Sequence, residues 1–206
     1  MKRILIFTDG GGFKKEDSES YTATSAFRMF KYEDNEFIFV CKNTEIYEVG
    51  TNNYAEINAI KNGLKTAREY IKSIDNSNVR VEIYSDSDIC VRSLTEWIWG
   101  WIKNSKDGQL YNSEGKLVKN QEVILKAFKI MEKIREGGGV VRFYHINSHG
   151  SIDNIKDLRS KFMKRNSCKV SLDDFCFFYL QNKQCDLMVK EAYNNEQEKE
   201  SDINKN

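Results

Sequence analysis

The period of the apolar positions changes along the chain, and each change marks an element. Ile4, Leu5, Ile6 and Phe7 form an unbroken apolar run ahead of Thr8, Asp9 and three glycines, Gly10 to Gly12. Such a run, bounded by turn signals, predicts a short strand buried on both faces, with a carboxylate at its tip and an Asp-Gly turn behind it. Residues 21–30 and 36–41 are rich in aromatic, Thr and apolar residues and are separated by a polar stretch. That is the pattern of a hairpin continuing antiparallel from the first strand. From Asn53 to Ser73 the spacing switches to three and four, placing Ile57, Ile60, Leu64, Ala67 and Ile71 on one stripe of an amphipathic helix. Val79, Val81 and Ile83 alternate as a fourth strand that stops at Ser85-Asp86-Ser87-Asp88, and Cys90, Leu94, Trp97 and Trp101 then share a helix face.

After a polar loop over residues 103–119, Asn120 predicts an N-cap for a helix carrying Val123, Ile124, Ala127, Phe128, Met131 and Ile134. Residues 140–146 predict a fifth strand, closing at Ser148-His149-Gly150. Residues 151–181 join a basic stretch (Lys156 to Lys169) to an apolar run at 175–180. A last helix carries Leu187, Val189 and Ala192, and from Asn194 the polar chain is expected to be a disordered tail. Three strands, then helix, strand, helices and strand describe an α/β protein with a mixed sheet covered by helices.

Composition narrows the class. At 206 residues and 40% hydrophobic content, one sizeable core is expected, in a single domain over residues 1–193. The net charge of +1 supplies no global field, so any surface for a polyanion must be local. Five cysteines without a CxxC spacing predict reduced thiols and an intracellular, cytoplasmic protein. The apolar run behind Met1-Lys2-Arg3 is too short for a signal sequence, and none approaches membrane-spanning length, so no membrane partner is expected.

Carboxylates recur at element ends. A charge such as Asp9 at the tip of a buried strand is costly unless a cation or hydrogen-bond donors meet it. Glu56 follows Asn53 by three residues, the spacing of a capping box in which it would serve only the helix terminus. Asp86 and Asp88 lie in a Ser/Asp run of the kind preferred at helix N-termini. Taken singly, each has a local explanation, yet three separate segments deliver an acid to an element end.

In order and spacing these segments resemble the type 1 ribonuclease H family. The resemblance is carried by Thr8-Asp9-Gly10-Gly11, Thr51-Asn52-Asn53-x-Ala55-Glu56, Ser85-Asp86-Ser87, Trp97-x-x-x-Trp101-x-Lys103-Asn104, Gly115-Lys116-x-Val118-x-Asn120 and the strand end at His149. It implies a ribonuclease H-like fold: a five-stranded mixed sheet, three strands antiparallel then two parallel, flanked by helices, with residues 151–181 inserted before the last helix. It implies an endonuclease that hydrolyses the RNA strand of RNA–DNA hybrids, as a monomer, using two divalent ions per site, Mg²⁺ or alternatively Mn²⁺. Clustered carboxylates fit that chemistry, because Mg²⁺ takes few carboxylates plus phosphate and water oxygens, and the ions relieve the mutual repulsion.

By position, the resemblance implies that Asp9, Glu56 and Asp86 hold metal. Asp186, in Asn182-x-x-Cys185-Asp186, matches the fourth carboxylate at the start of the family's last helix, with Asp153 as runner-up. His149 matches a loop histidine that assists the reaction by proton transfer or in product release. Gly10 and Gly11 allow close approach of the nucleic acid, and Asn52 and Asn53 read the minor groove beside the scissile strand. Thr51 and Asn120 hold a DNA-strand phosphate, where the arginine that often accompanies them is replaced by Val49. Trp97 and Trp101 match the DNA channel, flanked by Lys103 and Lys116, and core packing is the alternative for the tryptophans. The basic residues of 151–181 are expected to extend hybrid contact. Two other classes compete: a catalytically silent hybrid-binding module, and an ATP-binding protein whose Asp-Gly-Gly turn cradles phosphate.

Overall fold

In the computed structural model, residues 1–14, 21–74, 78–147 and 150–203 are described, with side chains to 199. Five strands, β1 (Lys2–Lys14), β2 (Tyr21–Glu33), β3 (Glu36–Tyr47), β4 (Val79–Ser85) and β5 (Val140–His145), form one sheet in the order β3-β2-β1-β4-β5. β1, β2 and β3 pair antiparallel, while β4 and β5 join parallel to β1. The helices are α1 (Asn52–Ser73), α2 (Asp88–Arg92), α3 (Ile98–Lys103), α4 (Gln121–Glu136), α5 (Ile155–Asn166) and α6 (Leu172–Ile203).

The unbroken apolar run of β1 reflects burial on both sides. Ile4 and Ile6 belong to a core with Ile57, Ile60 and Leu64 of α1, Leu94 and Ile98 of the α2–α3 segment, and Ala127 and Met131 of α4. Leu5 and Phe7 belong to a second core with Tyr84, Leu158 and Phe162 of α5, and Phe175 and Phe178 of α6. Each such side chain contributes about 2 kcal/mol by leaving water, and β1 supplies both layers.

Several boundaries differ from the sequence pattern. β1 does not turn at Asp9: it continues extended through the three glycines to Lys14, paired with β2 throughout. None of those glycines has positive φ, so conformational freedom is not their role. β2 and β3 are longer than expected and meet in a two-residue turn, Asp34 and Asn35, at φ 52° and 65°, the left-handed pair of a type I′ hairpin. α1 is capped by Thr51, whose hydroxyl accepts from Tyr54 N at 3.3 Å, so the Asn53–Glu56 capping box is not formed. The helix expected around Trp97 is interrupted by a π-helical turn over Ser93–Trp97, where the Thr95 hydroxyl donates to Val91 O. Asn120 precedes α4 but caps it with its carbonyl from a left-handed conformation, φ 58°, not with its side chain.

The largest difference lies after residue 171. α5 is a separate helix, but the apolar run at 175–180 and the site of Asp186 belong to one helix, α6, of 32 residues. Ser171 starts it, accepting from Asp174 N at 3.0 Å. The stretch expected to be a disordered tail from Asn194 is helical to Ile203, and residues 204–206 lie outside the described residues. Phe175, Phe178, Tyr179, Asn182, Cys185 and Val189 are the buried face of α6, spaced three or four apart. The apolar run therefore covers the second face of the sheet. Among the described residues, no helix is long and apolar enough to cross a membrane.

Candidate active site

β1 and β4 lie parallel with Thr8 opposite Ser85, so Asp9 and Asp86 follow these residues at the same level of the sheet. α1 crosses β1 there, and the glycines let it. A Cβ on Gly10 would stand 2.3 Å from Glu56 N, and one on Gly12 would stand 2.6 Å from Asn52 N. Any side chain at either position would push the helix off the strand. The Gly12 N–H donates to Asn52 Oδ1 at 3.2 Å, fixing the start of α1. Asp9, Glu56 and Asp86 consequently each present a carboxylate oxygen within 4.8 Å of the others.

Burial drives the electrostatics. Asp9 is pushed up to about 8, first by burial, then by the charges of Asp86 and Asp186, with the Gly10 N–H and Lys190 opposing. Glu56 is held well above the usual carboxylate range by burial, then by Asp9 and Asp86. Its Oε2 is buried and has no hydrogen-bond partner among the described residues. An unpartnered carboxylate oxygen facing two further acids is a set of hard donors that a divalent cation neutralises, so the residues fit Mg²⁺ or Mn²⁺.

Asp186 lines the same cavity, about 330 Å³, along with Gly10, Gly11 and Asn52. It stands outside the tight trio and accepts from Lys190 Nζ at 2.8 Å. It lies inside α6 rather than at a helix start, and α6 is fastened to β1 beside it: Asn182 Nδ2 donates to Thr8 O at 3.0 Å, and Cys185 Sγ to Phe7 O at 3.2 Å. Asp153 is exposed and accepts from the Ser151 hydroxyl in a 3₁₀ turn. Asp88 pairs with Arg165. His149 lies outside the described residues.

A second cavity, about 340 Å³, brings together Asn53, Trp97, Trp101, Lys116 and Asn120. The tryptophan rings are 5.9 Å apart and only partly buried, Trp101 resting on the core and Arg92 lying over Trp97 at 4.8 Å. Lys116 pairs with Glu114 at 2.7 Å. Lys103 lines a neighbouring cavity with Lys106, Asn112 and Gly115. Thr51 is exposed and its oxygen serves the α1 cap, while Val49 is 72% exposed. Of the basic residues in 151–181, Lys161 pairs with Asp157, Arg165 with Asp88, and Arg159 donates to Val170 O.

Two neighbours of the site escaped the sequence reading. Lys190 was legible as a cation four residues after Asp186 on a helix. The stack of Phe13 on Tyr193, 4.0 Å between centroids, joins the end of β1 to α6 and pairs residues far apart in sequence, which no local pattern signals.

A three-plus-two sheet with acids converging from its central strands and the crossing helix defines a ribonuclease H-like protein. The RNase H family profile matches residues 1–158, and the chain belongs to that family. It is similar to Ribonuclease H of Tropheryma whipplei (strain Twist), 29% identical over 103 residues, which is 50% of this chain and 54% of that protein. It is also similar to Ribonuclease H of Haemophilus influenzae (strain 86-028NP), 30% identical over 60% of this chain and 66% of that protein. The matches thus span between about half and two thirds of these relatives. Among solved structures, the PFV RNase H domain superposes with a TM-score of 0.55 at 19% identity, covering 81% of this chain and 94% of that one. LC9-RNase H1 superposes with a TM-score of 0.54 at 10% identity, covering 84% and 80%. These likenesses show the fold.

Proposed function

We propose that this chain is an endonuclease that hydrolyses the RNA strand of RNA–DNA hybrids, with two Mg²⁺ ions held by Asp9, Glu56, Asp86 and Asp186. The observation that carries the reading is the trio of carboxylates within 4.8 Å, one with an orphaned buried oxygen. When bound, such ions activate water for in-line attack on phosphate and stabilise the leaving oxygen. The rest is the work of the chain. Asn52, beside the trio, and Asn53, at the head of the tryptophan cavity, offer amides that can both donate to and accept from a ribose 2′-hydroxyl. Gly10 and Gly11 line the cleft beside the acids, and Gly11, whose missing side chain would meet Phe13 and Val189, leaves that side open for the sugar–phosphate chain to approach. Trp97 and Trp101 give the DNA strand an apolar wall, with Thr51, Asn120, Lys103 and Lys116 at its phosphates. His149, in the segment after β5, is assigned to proton transfer or product release. A hybrid whose RNA or DNA strand is end-labelled separately tests this. Cleavage of RNA only, with Mg²⁺ and not with EDTA, is expected. Intact RNA would leave a silent binding module, and ATP turnover in its place would favour the nucleotide-binding class.

A further inference from the structure

The family match ends at residue 158, within α5, yet the side chains that hold the neighbours of Asp86, His145 and Asp88, come from the far end of that helix. Asp86 lies between the end of β4 and the start of α2, and its carbonyl meets His145 Nε2 at 3.0 Å. A carbonyl only accepts, so Nε2 carries the proton. His145 is itself gripped through its main chain. Its N–H donates to Asn166 Oδ1 at 2.9 Å, and its carbonyl accepts from Asn166 Nδ2 at 2.9 Å. The same Nδ2 donates to Phe162 O within α5. The preceding residue, Arg165, pairs with Asp88, two residues past Asp86. Phe162 and Leu158 root α5 in the second core, so the anchor is a packed helix rather than a free loop.

We propose that the C-terminal end of α5 is a positioning device for Asp86. Through His145 and Asn166 on one flank and Arg165 on the other, it fixes the main chain that aims the Asp86 carboxylate at Asp9 and Glu56. This rests on the ribonuclease H reading of the site. The need is physical: acids so close disfavour one another's charge without a cation, and Asp86 stands on a two-residue link between β4 and α2 and is less buried than Asp9 and Glu56, so its main chain carries more of its placement. A clamp on its backbone keeps the ligand set assembled before the ion arrives. Residues that orient metal ligands in this way typically change metal affinity when removed.

The test uses the full chain with His145→Phe, which removes the donor, and His145→Gln, which retains an N–H. Mn²⁺ affinity is measured without nucleic acid from the free-ion paramagnetic resonance signal, alongside melting temperature and hybrid cleavage over a Mg²⁺ series. His145→Phe should bind Mn²⁺ about tenfold more weakly. Its kcat should fall at low Mg²⁺ and recover at high Mg²⁺, with KM for the hybrid unchanged and His145→Gln close to wild type. Asn166→Ala should follow His145→Phe. Folded His145→Phe with wild-type Mn²⁺ affinity would overturn the proposal, as would equal weakening in His145→Gln, which would assign the effect to packing. Wild-type protein that binds Mn²⁺ but does not cut the hybrid would refute the ribonuclease reading and leave the positioning result to stand or fall on affinity alone.

Discussion

Gly10→Ala adds a methyl group where α1 already stands. The new carbon would lie 2.3 Å from Glu56 N, 2.5 Å from Ala55 C and 2.8 Å from Glu56 Cα. All three are main-chain atoms, so no rotamer change relieves the contact. Non-bonded carbons rest at about 3.5 Å or more, which requires α1 and β1 to separate by about 1 Å. Glu56 is the contact point itself, so its carboxylate moves relative to those of Asp9 and Asp86. A misplacement of about 1 Å in a catalytic constellation can lower the rate about 100-fold. Overpacking of this kind destabilises by about 1–3 kcal/mol, a fall in Tm of about 2–12 °C for a chain of this size. The assay is kcat/KM on a labelled RNA–DNA hybrid, with melting followed by circular dichroism. Gly100→Ala in α3, whose added carbon meets nothing within 4 Å, is the control and should leave activity unchanged. Gly10→Ala with wild-type kcat/KM and Tm would refute the claim that the close helix–strand crossing sets the site.

Glu56→Gln keeps the shape of a buried acid that has no hydrogen-bond partner at Oε2, so cleavage should fall to near background while Tm holds or rises; a lowered Tm with normal rate would contradict this. Asp186→Asn should reduce cleavage far more than Asp153→Asn in the same gel assay, because only Asp186 lines the carboxylate cavity. Because Asp9 is pushed up to about 8, the metal-free folded state holds a proton that the unfolded chain has released. Stability should therefore fall as pH rises from about 4 to about 8, approaching 1.4 kcal/mol per pH unit. Saturating Mg²⁺ should flatten that slope in denaturant titrations, and a metal-free protein equally stable at both ends would be inconsistent. Asn52→Ala combined with Asn53→Ala should erode the preference for RNA over DNA in the cut strand, measured as a ratio of kcat/KM values, and an unchanged ratio would remove both from groove reading.

The sheet was legible because its evidence is local. The run Ile4 to Phe7, bounded by turn signals, reads as a doubly buried strand, and the alternation of Val79, Val81 and Ile83 as a further strand. The carboxylates were legible only as a set, since Glu56 read alone belonged to a capping box that Thr51 displaces. The glycines look locally like a turn, whereas Gly10 and Gly12 provide the absence of a side chain under α1, a helix that begins 40 residues beyond Gly12 in sequence. α6 was cut into pieces because its buried face passes through Asn182, which sequence hydropathy counts as polar and which the fold satisfies on Thr8 O. In sequence His145 is one more residue of a strand, and its grip on Asp86 depends on a pairing 59 residues apart.

The proposed role of Asp9, Glu56, Asp86 and Asp186 is to hold two ions against the RNA strand of a hybrid. Crystals of the full chain with an uncleavable hybrid and Mn²⁺, measured for anomalous scattering, test it most directly. Two peaks about 4 Å apart are predicted among Asp9, Glu56, Asp86 and Asp186, with the RNA backbone against them and the DNA strand along Trp97 and Trp101. Peaks elsewhere, or a hybrid seated away from the acids, would contradict it.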